Sequence, residues 1–321
     1  MKSTAVTPEA APTLETLLDV AAMSEHMRRT FGSDAGRVVS ADLVDHKPGH
    51  RALLAYRTTG ELFAETIYGK AFSTTAGAAR SFDLLTRLTG FSVPRPLGVV
   101  PELALVVYAP VPGRSLDTMV GSETFTQGVA GGGQWLAVLH RSALDLPRVL
   151  DAGHEADNAA SWAELVGDRH PNRAAAAARL ARALVADVPQ PAGRPVPIHK
   201  DFQYQHVIVS DGVGVVDLDE ARMGDAAADV AHFSVYLRLL ALRTGAPDGT
   251  RDGWVRSFRD AYGRDTGRTD DTTLAWYAAY TCMKIAKQLT TGRGPRPRPE
   301  GGAREHQLGW ALREGLAWLG A

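Results

Sequence analysis

The sequence contains a single cysteine, Cys282, in 321 residues. One thiol excludes an internal disulfide and a zinc cluster built from cysteines. An excess of either charge is also missing, because 35 lysines and arginines balance 36 aspartates and glutamates to a formal net charge of -1. This balance provides no basic field for nucleic acid or for an anionic membrane surface. We therefore expect neither as a partner.

Long apolar runs are missing as well, and no stretch approaches the length of a membrane span. The first 14 residues carry proline and glutamate where a signal peptide would need an apolar core. We expect a cytoplasmic protein, and the sequence predicts no oligomeric state. What is present is an ordinary globular composition, with 45% apolar and 22% charged residues, and a length that suits two domains.

The most informative stretch covers residues 199–219. A His-x-Asp pattern that ends at Asp201 is followed by two β-branched segments, residues 207–209 and 213–216, with an Asp-Gly pair between them. This pattern is a strong short-range signal for a β-hairpin. Because the outer ends of a hairpin meet, we expect the loop that starts at Asp201 to lie beside Asp217. A carboxylate that acts on an acceptor and a second one that holds a cation are what phosphoryl transfer needs.

The same region resembles the aminoglycoside phosphotransferase family, small-molecule kinases that share the two-lobed fold of protein kinases. The family's His-x-Asp-x-x-x-x-Asn motif is similar to residues 199–206, and its Gly-Asp-Pro-x-x-Asp-Leu-Ala motif to residues 224–231. The resemblance implies an α+β fold with a small β-rich N-lobe and a larger helical C-lobe. We expect an N-terminal extension with a helix over residues 1–37, a nucleotide-binding N-lobe over 38–113 and a C-lobe over 114–321.

The resemblance also implies an ATP-dependent phosphotransferase that uses Mg²⁺. The γ-phosphate would pass to a hydroxyl of a small molecule (an antibiotic, a sugar or another metabolite) or of a peptide serine or threonine. Asp201 would orient or deprotonate that hydroxyl, and Asp217 would be the main magnesium ligand. Lys70 matches the strand lysine that clamps the nucleotide phosphates. His199 would support the catalytic loop through hydrogen bonds.

At His206 the sequence departs from the family, which has asparagine there. Imidazole suits Zn²⁺ or Mn²⁺ better than Mg²⁺, so Mn²⁺ is an alternative metal. Three interpretations stay open: His206 binds a metal through nitrogen, it contacts a phosphate as imidazolium, or the second metal site is missing. The last of these favours the alternative function, a nucleotide-binding pseudokinase or scaffold partner with little or no turnover.

Further nucleotide contacts are expected in the N-lobe. Lys47 lies in a basic turn that occupies the position of the phosphate-covering loop, where His50 and Arg51 are other sources of charge. The backbones of Ala109 and Val111 would bind the adenine edge.

The acidic candidates complete the expected site. Asp219 would be a second metal ligand or a substrate contact. The helix after Lys70 lacks the usual glutamate partner, so Asp83 on that helix or Glu65 on the strand is the expected replacement. Asp225 would cap the helix that carries Asp229.

The order of elements matches a kinase-like chain. We expect a helix over residues 14–30, then three strands, a helix, two strands and a largely helical remainder. The predicted strands cover residues 38–44, 51–57, 62–72, 97–100 and 103–108, and the other predicted helices include residues 76–88, 250–262, 274–289 and 305–319. An Arg-Pro segment, residues 293–299, cannot be helical. Its arginines argue against a strongly cationic acceptor, together with the mixed charges of Arg251, Asp252, Arg256, Arg259 and Asp260.

Overall fold

The computed structural model describes residues 12–63, 65–190, 193–266 and 270–320. The chain divides into two compact units. The smaller unit contains the residues up to Pro112 together with residues 214–219, and the larger contains residues 113–213 and 220–321. The domain limits expected at residues 37 and 113 stay a prediction, and the first eleven residues of the expected extension lie outside the described ones. Across the described ranges, none of the helices is both long and apolar enough to cross a membrane.

A five-stranded antiparallel sheet forms the smaller unit, with the strand order β1-β2-β3-β5-β4. Its strands are β1 (Val38–Lys47), β2 (Arg51–Thr58), β3 (Thr66–Phe72), β4 (Arg95–Val100) and β5 (Leu105–Ala109). Helix α3 (Thr75–Arg87) follows β3, and Thr74 caps it by accepting a hydrogen bond from the Gly77 N–H. The three strands, one helix and two strands expected from the sequence are therefore present.

Two helices, α1 (Leu14–Leu18) and α2 (Val20–Phe31), occupy the region where one helix was predicted. Asp19 explains the break, because its side chain accepts the N–H groups of Ala21 and Ala22 and so begins a new helix. Met23 and Met27 of α2 are fully buried with Leu54 and Ile67 of the sheet. This apolar core holds the helices on the sheet.

The larger unit is mainly helical. Its helices are α4 (Phe125–Arg141), α5 (Ala152–Arg169), α6 (Ala174–Ala186), α7 (Ala226–Thr244), α8 (Asp248–Thr266), α9 (Asp271–Thr290) and α10 (Gly301–Trp318). Its short strands are β6 (Arg114–Ser115), β7 (Val196–Ile198), β8 (Val207–Val209) and β10 (Arg222–Gly224). In its core, the ring of Phe233 packs against the rings of both Phe202 and Phe258. Residues 293–299 are not helical, as expected.

Both strands of the expected hairpin are present, β8 and β9 (Val213–Val215). The chain passes from the larger unit into the smaller one within β9. Gly214 is required there, since a Cβ atom would lie 2.4 Å from Val111 Cγ1 and 2.7 Å from Ser92 Oγ. The Val215 N–H donates to the Ser92 carbonyl at 2.8 Å. These contacts fix the residues that lead into Asp217.

Candidate active site

In the smaller unit, Lys70 lies between two carboxylates. Its Nζ is 2.7 Å from Asp217 Oδ1 and 2.5 Å from Asp219 Oδ2. Strand β3 supplies the lysine, and the segment after β9 supplies both aspartates. The Lys70 side chain is 7% exposed, whereas the side chains of Asp217 and Asp219 are 21% and 17% exposed. The structure therefore brings three of the predicted site residues together.

Arg51 is the second cation of this group. Its Nη1 lies 3.2 Å from Asp217 Oδ1 and 3.3 Å from Asp219 Oδ2. Among the basic residues of the turn, Arg51 thus reaches the carboxylates, whereas Lys47 ends β1 opposite it. Lys47 lines a small cavity of about 100 Å³ with His46, His50 and Arg51. We call Lys70, Arg51, Asp217 and Asp219 the Lys70 cluster.

The two carboxylates of this cluster favour the protonated forms of its two cations. Burial by itself would lower the pKa of Lys70, but the carboxylates of Asp217 and Asp219 outweigh burial and raise the pKa above its ordinary value. The pKa of Arg51 is raised as well, because the same two carboxylates outweigh its burial. Both cations therefore stay charged at every physiological pH.

The backbone at Asp217 is unusual, with φ at +62° in the left-handed region. Such a conformation is uncommon for a residue other than glycine and is concentrated at functional sites. Asp219 is fixed differently, because Ser81 Oγ of α3 donates to its Oδ1 at 3.2 Å. The helix after β3 therefore contributes a serine hydroxyl to the cluster.

The two expected replacements for the helix glutamate pair elsewhere. Asp83 lies 4.0 Å from Arg87 one turn along α3, and Glu65 lies 3.2 Å from Arg57 on β2. The expectation that Asp83 or Glu65 partners Lys70 was wrong. The physical reason is that the lysine is already held by two aspartates that the sequence places about 150 residues away.

Ala109 and Val111 lie where the smaller unit's sheet ends. Ala109 is the last residue of β5 and pairs with Arg95 of β4. Val111 lies just beyond β5 and packs on Gly214. Their contact with a nucleotide base stays a prediction.

In the larger unit, the loop that carries Asp201 is held by the buried carboxylate of Asp229 on α7. Asp229 accepts the backbone N–H groups of His199 at 2.6 Å and Lys200 at 2.7 Å, and His140 Nε2 lies 3.2 Å away. Burial would raise the pKa of Asp229, but these partners lower it. Asp225 caps α7 by accepting the Ala227 N–H at 2.8 Å. The loop therefore rests on a capped and buried helix.

Asp201 itself contacts two side chains that the sequence did not suggest. Lys284 Nζ of α9 lies 2.8 Å from Asp201 Oδ1, and His232 Nε2 of α7 lies 3.3 Å from the same oxygen. Burial would raise the pKa of Asp201, but Lys284 and His232 hold it well below its ordinary value. Burial lowers the pKa of His232 to about 4, so its ring is neutral at pH 7. Asp201 is consequently ionised at neutral pH.

His199 and His206 complete this loop. The Asp201 N–H donates to His199 Nδ1 at 3.3 Å, so the fully buried histidine supports the loop. His206 Nδ1 donates to the Asp201 carbonyl at 2.8 Å, and its Nε2 faces the Gln203 amide nitrogen at 3.2 Å. A hydrogen bond from one ring nitrogen to a carbonyl is the arrangement that orients a metal-binding histidine. In this arrangement His206 Nε2 accepts the Gln203 amide hydrogen, so a cation at Nε2 would have to replace that hydrogen bond.

Sequence analysis missed Lys284, His232 and Ser81, and it listed Arg51 only as one of three cations in its turn. One signal for Lys284 exists, since it lies between Met283 and Ile285 in a helix of buried apolar residues. A lysine between buried apolar neighbours indicates a buried ion pair. Its partner is 83 residues away in sequence and becomes apparent only once the fold is known.

The donor atoms of the Lys70 cluster fit a hard divalent cation. Mg²⁺ prefers carboxylate oxygens and needs only one or two of them when phosphate oxygens supply the rest. Asp217 and Asp219 are both partly exposed and offer such oxygens. They are the residues that would hold Mg²⁺.

Comparison with known proteins identifies the chain. The model of the phosphotransferase enzyme family, APH, matches residues 56–277, which is more than half of the sequence. The chain belongs to this family. Its enzyme class, a phosphotransferase, agrees with the prediction made from residues 199–231. Among curated proteins, none matches the chain significantly.

Solved structures of phosphotransferases share the fold of this family member. A candidate aminoglycoside phosphotransferase from Ralstonia eutropha superimposes with a TM-score of 0.66 at 16% identity, covering 94% of this chain and 98% of its own. A spectinomycin phosphotransferase in complex with ADP and spectinomycin gives 0.62 at 14% identity, with 92% and 97% covered. Choline kinase LicA from Streptococcus pneumoniae gives 0.61 at 16% identity, with 92% and 99% covered. These similarities confirm the kinase-like α+β fold.

Proposed function

We propose that the protein transfers the γ-phosphate of ATP to a hydroxyl group of a small molecule. The single observation that carries this proposal is the buried Lys70 held by Asp217 and Asp219. A buried lysine with a raised pKa is a permanent cation suited to nucleotide phosphates. The two aspartates supply the oxygen donors for the magnesium ion that accompanies ATP. Use of ATP also fits a cytoplasmic location.

In this proposal, Asp201 binds the hydroxyl group of the acceptor molecule. A carboxylate that stays ionised at neutral pH can accept a hydrogen bond from the hydroxyl and align its oxygen with the γ-phosphorus. As the new O–P bond forms and the bond from the γ-phosphorus to the ADP oxygen breaks, the hydroxyl proton passes to Asp201 and then to solvent. The depressed pKa of Asp201 makes it a weak base in the ground state, so alignment is its main contribution.

A divalent cation held by Asp217 and Asp219 would supply charge neutralisation at the nucleotide phosphates. Lys70 and Arg51 add fixed positive charge on the same side, and both are anchored before any ligand arrives. Electrostatic groups that are positioned in advance need little reorganisation during the reaction. His206 is the residue through which Mn²⁺ would be preferred to Mg²⁺.

The experiment is a transfer assay with ATP labelled at the γ-phosphate and pools of hydroxyl compounds that include sugars, antibiotics and serine- or threonine-containing peptides. We expect a labelled organic product, with transfer reduced by about 10²-fold in Asp201→Asn, because the hydroxyl loses the charged acceptor that aligns it. ATP affinity should be unchanged in that variant. Asp157→Asn, an exposed substitution in the same unit, is the matched control.

Two results would contradict the proposal. Transfer that persists in Asp201→Asn would remove Asp201 from the reaction. ATP binding without any labelled product from any pool would favour the pseudokinase alternative.

A further inference from the structure

One segment of the larger unit is unusually basic. Residues 284–298, here called the basic segment, carry five cations and no acid. Aspartate and glutamate are absent from the whole interval between Asp271 and Glu300. The five cations are Lys284, Lys287, Arg293, Arg296 and Arg298. The net charge of the whole chain is close to zero, so the positive charge is concentrated in this segment.

The basic segment contacts the loop of Asp201 at both of its ends. At its start, Lys284 Nζ lies 2.8 Å from Asp201 Oδ1. Near its end, the Gln205 side chain and the Arg296 backbone form a reciprocal pair. Gln205 Nε2 donates to the Arg296 carbonyl at 2.7 Å, and the Arg296 N–H donates to Gln205 Oε1 at 3.0 Å. The segment is therefore fixed beside the residue that is assigned to the acceptor hydroxyl.

Arg243 of α7 strengthens this attachment. Its Nη1 donates to the Tyr204 hydroxyl at 3.1 Å and to the Pro295 carbonyl at 3.2 Å, while its Nε donates to Gln307 Oε1 at 3.1 Å. One guanidinium thus joins the loop of Asp201, the basic segment and α10. The exposed side chains of Arg293, Arg296 and Arg298 are carried on a segment held from several sides.

The acidic residues that reach the same loop already have partners. Asp117 accepts hydrogen bonds from Ser115 Oγ at 2.5 Å and from Gln205 Nε2 at 2.8 Å. Glu155 forms an ion pair with Lys200 Nζ at 2.7 Å and also accepts from the Tyr280 hydroxyl. A cationic acceptor would therefore meet occupied carboxylates and repulsive arginines, whereas an anionic acceptor would meet arginines suited to carboxylate or phosphate.

We propose that the basic segment binds an anionic group of the acceptor, so that the acceptor is an alcohol that also carries a carboxylate or a phosphate. This inference rests on the proposed function. The acceptor hydroxyl would meet Asp201 while the anionic group is held by Arg293, Arg296 and Arg298. These three arginines act as specificity residues for the transfer.

The test is calorimetry on the full chain saturated with Mg²⁺ and the non-hydrolysable nucleotide AMP-PNP, so that the nucleotide phosphate positions are filled. The probes are glycerate, glycerol 3-phosphate and 6-phosphogluconate, compared with neutral glycerol and cationic kanamycin at one fixed ionic strength. We expect binding of at least one anion and none of glycerol or kanamycin. The variant R293Q/R296Q/R298Q should weaken anion binding tenfold or more while AMP-PNP affinity changes less than twofold.

The matched control is R179Q/R182Q/R194Q, which removes three exposed arginines elsewhere in the same unit. An equal loss of anion affinity in this control would show that only the overall charge of the protein matters, and it would overturn the inference. Preference for kanamycin or glycerol, or binding of none of the anions by the AMP-PNP-loaded protein, would also overturn it. Loss of AMP-PNP binding in R293Q/R296Q/R298Q would show that the basic segment binds the nucleotide and not the acceptor, which would also overturn the inference. Failure of the wild type to bind AMP-PNP would instead contradict the proposed function.

Discussion

Two lysine–aspartate ion pairs have nearly equal N···O distances but different surroundings. In one pair the lysine contacts two aspartates, and in the other the aspartate contacts a lysine and a histidine. In the smaller unit, Lys70 lies 2.7 Å from Asp217 and also contacts Asp219. In the larger unit, Asp201 lies 2.8 Å from Lys284 and also contacts the neutral ring of His232. In the first site two acids surround a cation, whereas in the second a cation and a neutral imidazole ring surround an acid.

Under the proposed function, this difference corresponds to two separate tasks. A cation whose pKa is raised by acids is suited to phosphate oxygens, and an acid whose pKa is lowered by a cation is suited to accept a hydrogen bond from a hydroxyl. Similar distances therefore do not indicate similar roles. Four substitutions test the contrast, from the largest expected effect to the smallest.

Lys70→Met should reduce kcat/KM by roughly 10²- to 10³-fold, as expected when a fixed charge at the reacting phosphate is lost. It should also destabilise the fold by roughly 3 kcal/mol, because two neighbouring carboxylates lose their buried counter-ion. Steady-state kinetics and urea denaturation measure the two effects. Lys70→Arg should recover part of the stability. A stable Lys70→Met protein with full activity would contradict the role of the cluster.

Lys284→Met should reduce kcat by about tenfold, since one charge-assisted contact to Asp201 is lost. The pKa of Asp201 should rise, so the acid limb of the pH–rate profile should move to higher pH. Measuring kcat against pH in the wild type, Lys284→Met and Lys284→Arg separates this effect from simple destabilisation, because arginine should restore the wild-type profile. An unmoved acid limb in Lys284→Met would show that the lysine does not control Asp201.

His232→Gln should change the acid sensitivity of folding. The folded-state pKa of His232 is about 4, below the ordinary value of 6.5, so between these values the unfolded chain binds a proton that the folded chain does not. Wild-type stability should therefore fall from pH 6.5 to pH 4 by up to roughly 3 kcal/mol from this group and should not depend on it above pH 6.5. Urea denaturation at several pH values should give a shallower fall in the variant. Parallel curves for the two proteins would exclude His232 as the cause.

Ser81→Ala should have the smallest effect. The variant loses one hydrogen bond to a carboxylate that Lys70 and Arg51 still hold, so we expect a loss of about 1 kcal/mol in stability and less than tenfold in kcat/KM. Thermal denaturation and kinetics measure it against Ser161→Ala, an exposed serine substitution. A loss as large as that of Lys70→Met would mean that Ser81, and not the aspartates, organises the cluster.

Many of the strands and helices could be predicted from local sequence patterns. The β-branched runs and glycine or proline turns predicted β2 to within one residue, and α3 was displaced by one residue at each end. Strand β3 begins four residues later than expected, at Thr66. Helix α5 was not predicted, because most of its buried positions are alanine, which gives only a small hydrophobic signal although the helical spacing is present.

The site was predictable where its residues fall within one motif. Asp201, Asp217, His199 and Asp225 belong to a contiguous pattern, and Lys70 follows from its place on the third strand. Lys284, His232 and Arg51 act through contacts between distant parts of the sequence, which spacing alone does not encode. The wrong expectation for Asp83 has the same origin, since it assumed a local partner for Lys70.

The most direct test of the central claim is a calorimetric titration of ATP with and without Mg²⁺ on wild type, Asp217→Asn and the exposed control Asp42→Asn. We predict Mg²⁺-dependent ATP binding in the wild type and in Asp42→Asn, and at least tenfold weaker binding with no Mg²⁺ dependence in Asp217→Asn. Equal, Mg²⁺-dependent binding in all three proteins would contradict the assignment of the Lys70–Asp217–Asp219 group to the nucleotide phosphates.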